Sequence, residues 1–228
     1  MLLQVESLPR KPISVQTGNE TNCRLLQTLL AEWRYEIVSE LTPKGLLLTE
    51  EGSPVSALRL SSPSTGRTES IALPLSVEIL ARTLSAFFHR QPRQHLRIQL
   101  SLPFTLKRGQ EKEDGFLVSL SDRGCRFRSG RDLARGEEVE LFGRLGEGEW
   151  HLRGWVIYVV PHGESTGPGS DIGVVFEALP PEHRRKLREF IVATYLRRVR
   201  EKMNLEMFRA GLALVDLSPG LKRQLLQP

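Results

Sequence analysis

Apolar and polar positions repeat with two different periods along this chain, and the change of period divides it. Between Pro12 and His89, the runs ISVQTG, IVSEL, GLLLTEE, SALRLSS and IALPL read as short strands. Interleaved with them, NETNCRLLQTLLAEWRYE and SVEILARTLSAFFHR carry apolar residues every three to four positions. Leu25, Leu26, Leu29, Leu30 and Trp33 form one stripe, and Val77, Leu80, Ala81, Leu84, Phe87 and Phe88 form a second. Both segments are therefore expected to be helices packed on a small sheet, the first capped by Asn19 or Asn22. SSPSTGRTES, Ser61 to Ser70, is rich in turn residues and reads as an exposed loop. Residues 1–89 are thus expected to form an α/β domain.

From Leu96 the period falls to two. LRIQLSLPFTLKR, GFLVSLS, GCRFRS, EEVELFGRLG, EWHLRGWVIYVVP and DIGVVFEAL follow one another, with EKEDG, LGEGE and HGESTGPGS as breaks. Short strands in close succession predict an antiparallel β-barrel over residues 90–180. Pro180-Pro181 then opens a third section, residues 181–228, read as a long amphipathic helix. Leu187, Ile191, Tyr195, Val199, Met203 and Met207 lie four apart, opposite Arg184, Arg185, Arg188, Arg197, Arg200 and Lys202. Its first half is expected to cap the barrel, and its second half to meet either the N-terminal domain or a second copy of the chain. The fold class expected overall is α+β.

Composition narrows the function by exclusion. The 39% hydrophobic and 26% charged residues are ordinary for a globular protein, and no stretch approaches the roughly 20 apolar residues of a membrane span. The start, MLLQVESLPRKPI, lacks the features of a signal peptide, so a cytoplasmic protein without membrane insertion is expected. Cys23 and Cys125 are too far apart in sequence to suggest a disulfide framework, and His89, His95, His151, His162 and His183 show no metal-ligand spacing. No metal or cofactor is expected. With no nucleophile–base pairing and no glycine-rich phosphate loop, an enzyme is not expected either. The net charge of +5 and pI near 9.5 favour anionic partners. Strand-borne aromatics for stacking bases are few, so nucleic acid is not among the expected partners.

Two short constellations carry the candidate chemistry. In RQPRQHLRIQL, Arg90, Arg93 and Arg97 stand ahead of the first barrel strand. Arginine presents a planar fork of donors that grips phosphate bidentately and a flat face that stacks on purines. In SLSDRGCRF, Ser119 and Ser121 fall on the same face of a strand, and Gly124 permits a tight turn or a close backbone approach. Together these resemble the PilZ family, whose signature is Arg-x-x-x-Arg before the first strand and Asp/Asn-x-Ser-x-x-Gly across the second and third. GCRFRS, HLRGWVIYVV and DIGVVFEALPPEHRRKLREFI extend the resemblance over Arg90 to Val192.

The resemblance implies a six-stranded barrel with a terminal helix. It also implies a receptor for cyclic di-GMP, bound by Arg90, Arg93, Arg97, Ser119, Ser121 and Gly124. Binding would order the arginine segment and alter domain contacts or contacts with a protein partner. Ser119 stands where the family carries Asp or Asn, which leaves open the alternative of a PilZ-like interaction scaffold that no longer binds the ligand. The N-terminal segment is similar to a shortened receiver domain. LPLSVEILARTLSAFF matches that family's last strand and helix, but Leu73 stands where a lysine is expected and the phosphate-accepting acidic residues are missing. This implies a degenerate module used for protein contact.

Overall fold

The computed structural model describes residues 11–130, 133–161 and 169–227. They fall into two compact units: the chain up to Gln94 together with Ala193 onward, and His95–Val192.

In the first unit, β1 (Pro12–Gln16) leads into α1 (Glu20–Glu32), followed by β2 (Glu36–Ile37), β3 (Leu46–Glu51), β4 (Ala57–Ser61), β5 (Thr68–Ala72) and α2 (Val77–Phe88). Asn19 caps α1, its side chain accepting from the Asn22 amide at 3.1 Å. Leu25, Leu26, Leu29 and Leu30 are fully buried, and so are Leu80 and Leu84 of α2. The sheet order is β2-β1-β3-β4-β5. That order is shared with flavodoxin-like folds, but here only β2, β1 and β3 are parallel. β3, β4 and β5 form an antiparallel meander. The connections from β3 to β5 are too short for crossover helices, so the doubly wound sheet that a receiver-like domain implies does not form, and the unit is mixed α+β. The segment read as a loop from Ser61 to Ser70 is partly strand. Thr68, Glu69 and Ser70 are polar because β5 is the edge of the sheet and exposes them.

The C-terminal section is not one long helix. α3 (Pro181–Glu201) stops, and α4 (Leu205–Gly211), a 3-10 turn (Leu212–Leu214) and α5 (Pro219–Leu226) follow. The break comes where Asn204 turns its side chain onto the Glu206 amide at 2.8 Å, starting a new helix. Phe208 rather than Met207 is the buried residue beyond it. Positions four apart advance by about 40° around a helix, so the apolar stripe of α3 winds and is completed by Val192, Ala193 and Leu196, all buried. Tyr195, Leu196 and Val199 are buried within the single chain. In the first unit, Tyr195 meets the Trp33 ring edge-on at 5.9 Å, Lys202 pairs with Glu32, and Val215 bridges to Leu75.

The second unit is a closed antiparallel barrel in the order β10-β11-β8-β7-β6-β9. Its strands are β6 (Ile98–Arg108), β7 (Glu111–Leu120), β8 (Gly124–Ser129), β9 (Glu138–Leu145), β10 (Gly148–Pro161) and β11 (Ser170–Phe176). Ile98, Leu106, Leu117, Leu120, Phe127, Leu141, Leu152, Val156 and Ile172 fill its interior. EKEDG, expected as a break, is the start of β7. The turn needs only the two residues around Gly109, at φ +58°, and Thr105 ties across to Asp114 at 2.7 Å. LGEGE does turn, with Gly146 at φ +63°, whereas HGESTGPGS lies largely outside the described residues.

On β9, Glu140 accepts from Lys107 at 3.0 Å and His151 at 2.6 Å, and these hydrogen bonds hold its carboxyl down to about 2. A lowered carboxylate adds stability above its ordinary pKa and loses it below. Barrel stability is therefore expected to fall as pH drops from 4.5 toward about 2, and Glu140→Gln to flatten that limb, read from urea midpoints across this range. Phe127→Ala should cost about 3–5 kcal/mol by the same method, because Phe127 is fully buried among the barrel side chains.

Candidate functional site

Arg90 and Arg93 belong to the first unit and Arg97 to the second, and all three side chains are exposed. The Arg93 amide donates to Ser85 Oγ at 2.9 Å, which anchors the backbone and leaves the guanidinium for other work. Lys11 and His89 lie with it, their side-chain nitrogens 2.7 Å apart. Burial, then neighbouring positive charge that includes Arg93, holds both groups below their ordinary ranges. An anion beside Lys11 and Arg93 would relieve this crowding of positive charge. Sequence reasoning passed over Lys11 and His89 because they lie far apart in sequence.

Arg97 directly precedes Ile98, which points into the barrel opposite Leu120. Alternation therefore sends Arg97 and Gln99 to the outer face. Gln99 pairs with Ser119, Ser119 with Arg126, Arg126 with Gly173, and Gly173 with Tyr158, a lateral row over five strands. Ser119 is 2% exposed, and its Oγ has no hydrogen-bond partner. Ser121, also buried, donates to the Gly124 carbonyl at 3.1 Å and accepts from the Arg123 amide at 3.4 Å, so its hydroxyl fastens the β7–β8 turn. Gly124 is required by close approach rather than by an unusual φ, since a Cβ there would sit 2.3 Å from the Val174 carbonyl oxygen. Cys125 follows it into the interior, where burial pushes its thiol up and makes it inert.

The same stretch holds a second arrangement. Asp122 is buried, with His95 Nδ1 2.8 Å from one carboxylate oxygen and Arg188 Nε donating to the other at 2.7 Å. His95 lies between Arg93 and Arg97 in sequence, Asp122 between Ser121 and Gly124, and Arg188 on α3. Asp122 thus ties the segment entering β6 to the β7–β8 turn and to the helix. It uses both carboxylate oxygens there.

Residues 91–193 match the sequence profile of the PilZ domain. This region is a PilZ domain. No curated protein matches the chain. Among solved structures, the inhibitor of motility MotI/DgrA from Bacillus subtilis is similar at 15% identity and a TM-score of 0.41, over 60% of this chain and 57% of that one. The MrkH–c-di-GMP complex of K. pneumonia is 18% identical with a TM-score of 0.43, over 49% of this chain and 56% of that one. The PilZ domain of YcgR from Escherichia coli, determined with c-di-GMP, is 19% identical with a TM-score of 0.40, over 49% of this chain and 97% of that one. The chain thus spans little more than half the length of the first two.

Within the PilZ domain, the Asp122 clamp is the interaction most exposed to test. Asp122→Ala removes two charge-assisted hydrogen bonds and should cost about 1–3 kcal/mol. It should also speed amide exchange over 95–98, measured by hydrogen–deuterium exchange on the full chain. Asp122→Asn, which keeps one acceptor, should fall between wild type and Ala.

Proposed function

We propose that this protein is a cyclic di-GMP-responsive signalling adaptor. The observation that carries the reading is a PilZ domain entered through Arg93-x-x-x-Arg97 and carrying Ser121 and Gly124 of the family's second motif. Arg90, Arg93 and Arg97 grip the phosphates and stack on the bases, and the strip from Ser119 to Gly124 receives the ligand on the barrel. Binding orders the arginine segment and, because that segment leads from one unit into the other, alters domain contacts or contacts with a protein partner. The role is reception and relay, without catalysis. The N-terminal unit serves protein contact. Among the described residues no helix is long and apolar enough to cross a membrane.

Ser119 favours a second reading, an interaction scaffold that has lost the ligand, because serine cannot present a carboxylate or amide to a guanine edge. Calorimetry separates the two. Wild type should bind cyclic di-GMP, and Arg93→Ala with Arg97→Ala should weaken binding by about a hundredfold or more, two charge-assisted contacts being lost. A flat trace for wild type would leave the scaffold reading in place.

A further inference from the structure

Ser119 and Arg126 are cross-strand partners on β7 and β8, and each carries a buried polar atom without a hydrogen-bond partner, Ser119 Oγ and Arg126 Nε. Buried polar atoms nearly always have a hydrogen bond, so two that lack one at a single register position mark a spot where only a long 3.5 Å contact of Asp171 to Arg126 Nε offers compensation. The rest of Arg126 is held in place: Nη2 donates to Gln99 Oε1 at 3.2 Å, and Asp171 Oδ2 lies 3.5 Å from Nε. Its side chain is 37% exposed, so a fixed guanidinium is within reach of solvent. The next position in the row is Gly173, where a Cβ would lie 2.2 Å from Tyr158 ring carbon. The absence of a side chain there lets the Tyr158 ring lie over Gly173, the register partner of Arg126, and Tyr158 is 38% exposed.

We infer that this row is a guanine-reading site in which Arg126 takes over the recognition that an acidic or amide residue at 119 would perform, with Tyr158 offering its ring face to the base. The inference rests on the receptor reading above. Its chemistry is specific. Guanine presents O6 and N7 as adjacent acceptors, which a guanidinium fork meets with two parallel N–H donors. Adenine carries an amino donor in place of O6 and repels the same fork. A carboxylate at 119 would instead accept from the opposite edge of guanine and, lying across the strand pair from Arg126, would neutralise it. Serine at 119 leaves the fork available. The ring contributes stacking, which is blind to base identity.

The test is calorimetric titration of the full chain with cyclic di-GMP and with cyclic di-AMP. Wild type should prefer the guanine ligand. Arg126→Met should weaken cyclic di-GMP about ten- to hundredfold while leaving cyclic di-AMP unchanged, so the preference collapses. Arg126→Lys keeps the charge and the Asp171 pairing but loses the fork, and should show the same collapse in a protein that melts like wild type. Tyr158→Ala should weaken both ligands alike. Arg126 variants that keep the wild-type preference would overturn this assignment while leaving the receptor reading intact, whereas a wild type that binds neither ligand would overturn both.

Discussion

Hydrogen bonding of β9 to β6 on one side and to β10 on the other closes the PilZ barrel, and the candidate chemistry of that unit depends on this closure. In a closed sheet every strand must send alternate side chains inward to fill a small interior, and the remaining positions are held outward at fixed lateral spacing. Phe127 inside forces Arg126 and Arg128 outside; Ile98 inside forces Arg97 and Gln99 outside; Leu120 inside forces Ser119 and Ser121 to the other surface. Residues up to about 75 positions apart in sequence, from Gln99 to Gly173, are thereby set side by side.

Asp122 illustrates how the motif is held. A buried carboxylate is costly unless paired, and this one is paired twice, to His95 and to Arg188. The two partners come from the segment before β6 and from α3, so Asp122 of the β7–β8 turn also fixes the entry of the chain into the barrel. The motif serine performs a related task. Its hydroxyl closes the turn through Gly124 and Arg123, so Ser121 and Gly124 shape the backbone on which other residues act.

Arginine is used here in two distinct ways. Arg90, Arg93 and Arg97 stand on an irregular segment, exposed, in a locally cationic setting with Lys11 and His89. Arg126 and Arg128 stand on a strand, both tied to Asp171. Charges on an irregular segment suit phosphate, which is approached from many directions; a guanidinium fixed by strand and carboxylate suits a base edge, which demands one orientation.

Much of this was legible in the amino-acid sequence, and the boundary has a physical cause. Period-two alternation located the six barrel strands, apart from the EKEDG half of β7, and the four-residue helical spacing located α1, α2 and the start of α3, because those signals are local and each residue's burial follows from its neighbours. The arginine and Ser-x-x-Gly motifs were readable for the same reason. Local signals could not decide the directions of β4 and β5, which made the N-terminal sheet mixed, nor the break at Asn204, where a side-chain cap outcompetes helix continuation. They could not show that His95, Asp122 and Arg188 meet, or that Gln99, Ser119, Arg126, Gly173 and Tyr158 form one row. Strand pairing and barrel closure decide those contacts, since only hydrogen-bond register brings distant residues to the same height on a sheet.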